Sequence, residues 1–539
     1  MNLRMKTSHV ALFISVAMVV GVLLGVWLSP SSKNENGISA SQIRIVDNNK
    51  LSNIVHLILT DYVDSITLEQ IEDEAIYSLL STLDPHSAYI VKEDFEEEKE
   101  SINGLFEGIG IIFRLEKDSI YVLQVVDGGP SQKSGVLNGD RIVFINDTNV
   151  AGVEIKDTDV IKKLRGPKGT KVKIGIKREG VSKILDFDIT RDVIPSHSIS
   201  YRGMLDDEIG YIHLSKFSNT TKREMYTSIK YLQEKGMEKL ILDLRGNGGG
   251  LLYQAIEVAD MFLPQDQLIV YTEGRNSPRS ENYSTSGGIF EKGALVVMID
   301  DSSASASEIL AGAVQDNDRG TIVGIRSFGK GLVQEQFEMR DGSAIRLTIA
   351  RYYTPSGRCI QRPYDKGTDE YYYDFLMRIM TEMESDSIIQ EITDTTKYYT
   401  KDGRVVYGGG GIYPDVVLPY SRDSLIIYFN NVMQKGILYK YAFDFTERNR
   451  HTLLEKYPNS DSFVQNYSVP DYMFNEFINE AAEKGIKRDP ASIKAYKEEM
   501  KIMLKSYMAE LLYDTESFYK VSLLMDKDLQ KTIDIIKKK

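Results

Sequence analysis

The chain has 539 residues, 42% apolar and 27% charged, with a formal net charge of −13 and a single cysteine, Cys359. That length is too great for one ordinary domain, so about three to four are expected, and the acidic balance argues against nucleic acid as the main partner, which would want a basic face. One cysteine excludes intramolecular disulfides and any zinc or iron–sulfur site built from several thiolates.

Residues 1–9 carry Arg4 and Lys6, and Val10 to Leu28 then run without a charge. As a helix that run is about 28 Å long, close to the hydrocarbon thickness of a bilayer. Trp27 stands at its far end, where interfacial aromatics belong. The reading is a transmembrane signal anchor over 10–28 with residues 1–9 cytoplasmic. A cleaved signal peptide is the alternative, and either way the bulk of the chain is exported. Residues 29–41 form a polar linker. Over 42–100 apolar residues recur at helical spacing, as at Leu51, Ile54, Val55 and Ile58, then Ile71, Ala75, Leu79 and Leu80. Asp84-Pro85-His86-Ser87 interrupts this helical region. No chemistry is visible in it, and His86 reads as a turn or packing residue.

Near Leu105 the period changes to that of short strands. Gly108-Ile109-Gly110-Ile111 is a glycine-broken loop entering a strand, with further strands at Ile120–Val125, Arg141–Ile145, Val172–Lys177 and Ile184–Ile189. Pro130–Gly135 and Asp157–Leu164 read as short helices. This module, residues 101–192, resembles a PDZ domain through the Gly108–Ile111 loop, Ser134-Gly135-Val136 and Gly139-Asp140-Arg141-Ile142. The resemblance implies that the loop N–H groups of Gly108, Ile109, Gly110 and Ile111 cup a peptide carboxylate while the next strand pairs with the peptide. A plain β module without a ligand is the bland alternative.

From 193 to 420 strands and helices alternate as in α/β layers. Lys239–Leu244 is a buried strand ending in Arg245-Gly246-Asn247-Gly248-Gly249-Gly250, and Ala294–Ile299 is another, running into Ser302, Ser303, Ser305 and Ser307. A helix over Glu308–Gln315, a strand over Thr321–Ile325 and Phe328-Gly329-Lys330-Gly331 follow. About 361–403 is a Met- and acid-rich insertion, and 421–539 reads as a helical domain without a chemical motif. None of the six histidines lies in an H-E-x-x-H pattern, and no G-x-S-x-G elbow is present, so metalloprotease and α/β-hydrolase readings lack support. A serine nucleophile would then need another base. Lysine is the candidate, provided its amine is neutral.

Residues 101–420 resemble the carboxyl-terminal processing peptidases, also called tail-specific proteases. The matching stretches are Asp243–Gly250, Ser303–Glu308, Phe328–Gly331 and Tyr353-Thr354-Pro355-Ser356-Gly357-Arg358, in the family's order. Together these readings give an α+β multidomain protein: transmembrane helix, helical segment, PDZ domain, crotonase-like α/β core and C-terminal helical domain, with the insertion and the tail departing from the family's minimal pattern. The resemblance implies Ser305 as nucleophile, Lys330 as general base and Gln334 as the residue orienting the lysine, one helical turn away if that segment is helical. It implies an oxyanion hole from the Ala306 and Gly249 N–H groups, and Arg165 as a link between peptide binding and the active site, where a solvated arginine is the alternative. The expected function is a serine endopeptidase cutting near the tails of exported proteins that bear a free apolar C-terminus. It would need no metal or cofactor, and it would sit in a bacterial cell envelope, single-pass in the inner membrane with the catalytic part on the periplasmic side. An activating adaptor and homo-oligomerisation through the C-terminal domain fit the same picture. The rivals are an inert PDZ scaffold or adaptor that keeps the protease shape, and a crotonase-like acyl-CoA enzyme.

Overall fold

A computed structural model describes residues 49–116, 118–126, 128–384, 395–419 and 425–539. The expected span at 10–28 and its flanks at 1–9 and 29–41 lie outside the described residues. Among those residues no helix is long and apolar enough to cross a membrane. The described residues fall into two compact units that part between Glu74 and Ala75. The first contributes helix α1 (Lys50–Asp61), started by Asn49, whose side chain accepts the Leu51 N–H. Helix α2 (Leu68–Ser81) is followed by a short strand β1 (Ala88–Ile90) and helix α3 (Lys92–Asn103), which ends at Gly104 with φ +66°. The strand was not foreseen, because a three-residue element has no periodicity to read.

The next domain comprises β2 (Leu105–Gly108), β3 (Ile111–Leu115), β4 (Ile120–Val125), α4 (Pro130–Ser134), β5 (Arg141–Ile145), β6 (Thr148–Asn149), α5 (Asp157–Leu164), β7 (Lys171–Lys177), β8 (Leu185–Thr190) and β9 (Asp192–Pro195). Strands β3-β4-β5-β7-β8 form an antiparallel sheet with β3 at one edge, and β2 pairs with β9 so that chain entry and exit are tied. Alternation along β4 buries Ile120 and Val122, which meet Ile142, Ile174 and the α5 residues Val160 and Leu164 in one core.

The third region is built from β10 (Ile199–Met204), β11 (Ile209–Leu214), α6 (Thr221–Glu234), β12 (Lys239–Asp243), α7 (Leu252–Asp260), β13 (Leu268–Glu273), β14 (Ser280–Tyr283), β15 (Ala294–Ile299), α8 (Ala306–Asp316), β16 (Thr321–Gly324), β17 (Leu332–Glu338) and β18 (Ala344–Tyr353). The insertion forms α9 (Thr368–Glu384) and a hairpin of β19 (Lys397–Tyr399) with β20 (Val405–Tyr407), before β21 (Val416–Val417). The central sheet has the order β10-β11-β12-β15-β16-β21 and is parallel from β11 onward. Buried on both faces, β15 and the Leu240–Leu242 centre of β12 read as apolar runs, as parallel strands do. Helices α6, α7 and α8 cover one face. A second sheet carries β1, β13 and β17 all paired to β18.

The tail holds α10 (Ile426–Gln434), α11 (Ile437–Lys456), α12 (Ser460–Asn466), α13 (Asp471–Glu483), α14 (Pro490–Ala495), α15 (Lys497–Leu512), α16 (Thr515–Ser522) and α17 (Lys527–Lys537). Helices α10 and α11 are separated at Gly436, which holds φ +64°. Most of the tail has its own aromatic- and methionine-rich core. Helix α17 does not: its Leu529 and Ile536 close the other face of the central sheet against Ile241, Val296, Met298 and Val323.

Candidate active site

Strands β12 and β15 are parallel neighbours, with Asp243 beside Met298, so the loops leaving their carboxyl ends meet. The glycine-rich turn after β12 and the serine run after β15 are stapled together. Ser303 Oγ donates to Leu244 O at 2.8 Å, Ser307 Oγ donates to Asn247 O at 2.9 Å, and the Ala304 N–H reaches the same carbonyl at 3.1 Å. Ser303 and Ser307 are fully buried and their hydroxyls engaged, while Ser302 is exposed and turned to Asp301. Ser305 differs from all three. It is half-buried, lines a cleft of about 510 Å3, and holds φ +55°, an unusual conformation for a residue with a Cβ.

Lys330 lines the same cleft together with Gln334, Gly248 and Tyr352. Its Nζ donates to Gln334 Oε1 at 2.8 Å, and Gln334 Nε2 in turn donates to His86 O. The expected helical turn is absent: Lys330 lies in a loop and Gln334 in β17, past a bulge between Val333 and Gln334. The long lysine side chain reaches along the strand instead. Among the described residues no hydrogen bond joins Ser305 Oγ to Lys330 Nζ. Burial, and next the Arg346 guanidinium, lower the lysine from 10.5 to about 8, against the pull of Glu308, Asp84 and Glu98.

Two buried side chains hold the serine turn and lysine loop in register. Glu308, wholly buried, accepts the N–H groups of Ser305 (2.8 Å), Gly329 (2.7 Å) and Lys330 (2.9 Å) and the Ser327 hydroxyl (2.5 Å). Burial raises its carboxyl above the usual range. Tyr352 Oη donates to Lys330 O at 2.7 Å and Ser305 O at 3.2 Å. The roles of both went unread in the sequence. For Glu308 a signal was present, since Ser305-x-x-Glu308 is the spacing of a helix-capping pair. Tyr352 gave none.

His86 also does more than turn the chain. Asp84 accepts the His86 and Ser87 N–H groups at 2.8 and 2.9 Å, and this small loop aims the His86 carbonyl at Gln334. Its imidazole is pushed down to about 4, by burial first and then by the charge of Lys330, so it is neutral at ordinary pH.

Of the two expected oxyanion donors, one is engaged elsewhere in this structure. The Gly249 N–H donates to Asn247 Oδ1 at 2.9 Å, so it is engaged within its own turn. Gly249 is nonetheless pressed against the nucleophile. At φ +103°, an added Cβ would lie 2.7 Å from Ala304 O and 2.8 Å from the Ser305 Cβ. Ala306, the first residue of α8, has a buried N–H that finds no acceptor among the described residues, as first-turn amides lack helical partners.

Sequence profiles place the likeness on the same parts: Peptidase family S41 matches residues 208–370 and the PDZ domain matches 108–189. A family of unknown function matches 428–514. The carboxy-terminal-processing protease of Bartonella bacilliformis is 38% identical over 317 residues, 58% of this chain and 72% of that protein. The chain belongs to the carboxy-terminal processing proteases. Carboxy-terminal processing protease CtpA of Bacillus subtilis is 35% identical over 314 residues, covering 58% of this chain and 66% of that one. The photosystem II D1 C-terminal processing protease structure aligns over 69% of this chain and 87% of its own, at 24% identity and TM-score 0.35.

This protease is thus a serine-type peptidase joined to a PDZ domain. Within that domain Gly108 lies in β2, Ile109 is buried, Gly110 turns at φ +74°, and Ile111 begins the edge strand β3. The Ile109 and Gly110 N–H groups have no acceptor among the described residues, whereas Ile109 O takes both the N–H and the hydroxyl of Ser131. Arg165, just beyond α5, forms an ion pair with Glu100 of α3 and lies over the Phe106 ring at 5.1 Å. Two residues earlier on α3, Glu98 bonds Arg346 and accepts from Gln336 at 3.0 Å. Helix α3 therefore touches both the PDZ domain and the wall of the catalytic cleft.

Proposed function

We propose that the protease is an exported endopeptidase that cuts near the C-terminal tails of proteins with a Ser305/Lys330 dyad. The observation that carries this reading is the selection among the serines. Ser305 alone of the four faces the cleft while Lys330, held by Gln334, lines its other wall. Neutral Lys330 takes the Ser305 proton as Oγ attacks the scissile carbonyl, and the developing oxyanion is received by the Ala306 N–H. A second donor from the glycine turn requires the Gly249 N–H to leave Asn247 as substrate enters. Lys330 returns the proton to the leaving amine and then activates the water that hydrolyses the acyl-enzyme.

The free β3 edge and the unpartnered N–H groups of Ile109 and Gly110 support capture of a peptide end by β-augmentation. Such capture raises the local concentration of the tail at the cleft. Arg165 and α3 supply a path from that groove to Arg346 and Lys330. Residues 10–28 serve as the anchor, with the catalytic part outside the cytoplasm.

Cleavage of a tail peptide by Ser305→Ala and Lys330→Ala tests the dyad: both should fall to background, and retention of parental rates by both would sink it. An amidated C-terminus should raise KM and leave a weaker tail preference, while equal handling of acid and amide would remove the PDZ role. Alkaline extraction of membranes containing the full chain checks the anchor, which predicts that the chain stays in the pellet.

A further inference from the structure

A second cavity of about 540 Å3, between the insertion helix α9 and the segment after β18, plays no part in the catalytic reading. Three guanidinium groups line it: Arg326, Arg362 and Arg378. Arg326 and Arg362 are only 6% and 8% exposed. Glu382 stands 3.4 Å from Arg326 Nη2, while the other lining acids, Asp365, Glu370 and Asp374, are exposed at the rim.

Arg362 donates through Nη1 to Tyr371 O at 3.2 Å, but its buried Nε and Nη2 have no acceptor among the described residues. Among the same residues all three guanidinium nitrogens of Arg378 are likewise buried without one. The rings of Phe328, Tyr371 and Phe375 stand 4.0–4.7 Å from the Arg362 guanidinium, and Phe375 lies 5.0 Å from that of Arg378. Ring faces stabilise the positive charge but leave in-plane N–H donors without oxygen acceptors. Buried donors of this kind are rare because each costs the loss of its water partner. Burial, and next the neighbouring Arg326, lower Arg378 to about 10, and burial lowers Arg362 as well.

We propose that this cavity binds a small oxyanion, a carboxylate or phosphate group, on the free N–H edges of Arg362 and Arg378. A guanidinium presents its donors in a planar fork that matches two oxygens of one such group, and the added negative charge compensates the arginine cluster. The site shares a wall with the catalytic loop. The Arg362 N–H donates to Gly329 O at 3.0 Å, so a bound anion sits beside the segment that presents Lys330.

Titration calorimetry of the full chain with inorganic phosphate, and separately with acetate, reads the site directly against chloride at equal ionic strength. At least one of the two binds saturably at one site per chain. Arg378→Gln weakens that binding by at least about tenfold, while the exposed Lys183→Gln leaves it intact. Phosphate alone would mark a tetrahedral anion as the ligand, and acetate alone a carboxylate such as a peptide end. Thermal unfolding gives a second readout. Without oxyanion, Arg378→Gln melts above the parent because it removes a buried charge that Glu382, shared with Arg326, compensates only in part; with saturating oxyanion the order reverses. The proposal is overturned if neither anion binds saturably, or if Arg378→Gln does not weaken binding. A lower melting temperature for Arg378→Gln in chloride would also overturn it, since stacking alone would then satisfy the guanidinium.

Discussion

Arg346 and Glu98 form an ion pair beside the cleft, and they pull the Lys330 amine in opposite directions. If Lys330 is the base, exchanging each in turn should move the acid limb of the pH–rate profile in opposite directions. At an amine pKa of about 8, rather than 10.5, roughly one molecule in ten carries the neutral form at pH 7 instead of about one in three thousand. Activity therefore rises with pH until the limb is passed near 8. Burial is the larger cause of the lowering and Arg346 the next. Arg346→Met removes that positive charge and leaves Glu98 unpaired, and both changes raise the amine. One unit charge near a half-buried group is worth about 0.5–1 pH unit at an effective dielectric of ~20–40. The limb of kcat/KM should therefore shift up by about one unit, with a loss of up to about tenfold at pH 7 that disappears on the alkaline plateau. Glu98→Gln does the reverse by about half a unit, since its carboxylate is more exposed; the amide keeps an acceptor for Gln336. Initial rates on one tail peptide from pH 5 to 10 give both limbs. A shift in the same direction for both variants, or none in either while Lys330→Ala is inactive, would refute this electrostatic account of the base.

Three further changes probe the frame around the dyad. Gly249→Ala places a methyl 2.8 Å from the Ser305 Cβ at φ +103°; kcat should fall more than about tenfold and the melting temperature should drop, and an unchanged kcat would show that the turn yields freely. Tyr352→Phe removes the donor to Ser305 O and Lys330 O; a cost of about 1–2 kcal/mol in urea unfolding is expected, together with a lower kcat and an unmoved pH limb. Asp526 begins α17 and accepts from Arg245 Nη2 at 2.6 Å, while Arg245 also grips buried Asp243. Asp526→Asn keeps the cap but loses the charge, so stability should fall by about 1 kcal/mol with a smaller effect on kcat; equal melting curves would mean the tail does not brace the glycine turn.

Long or strongly patterned elements were legible in the sequence. Strands over Ile120–Val125, Arg141–Ile145 and Ala294–Ile299 and the helix over Asp157–Leu164 coincide with those in the structure. Burial on one or both faces imposes the periodicity that reveals them. The unread elements were short, as with β1, or sat where apolar pattern is weak, as with α9, whose tyrosine- and acid-rich sequence is largely exposed. Sequence pattern alone left four serines open. Their separation depends on where each hydroxyl points, which is set by β12 and β15 being neighbours in a parallel sheet across a long sequence gap.

The contacts that hold the site come from parts of the chain that look inert in sequence. His86, in the turn before β1, fixes Gln334 through a backbone carbonyl, which any residue type possesses, so composition carries no trace of it. Asp526 in the tail reaches the turn after β12, and Glu100 on α3 reaches Arg165 of the PDZ domain. The first two attach to the frame of the cleft, the third joins the PDZ domain to α3, whose Glu98 lines the cleft, and none touches Ser305 itself. Ser305 is constrained instead by core groups, Glu308 at its N–H and Tyr352 at its carbonyl, and these same two groups also hold the backbone of Lys330. The serine and lysine backbones are thus tied to each other more tightly than either is to the appendages. A movement of the PDZ domain, of α3 or of the Asp84–Ser87 turn would then act first on the lysine side chain, through Gln334 and Arg346, and leave the nucleophile in place.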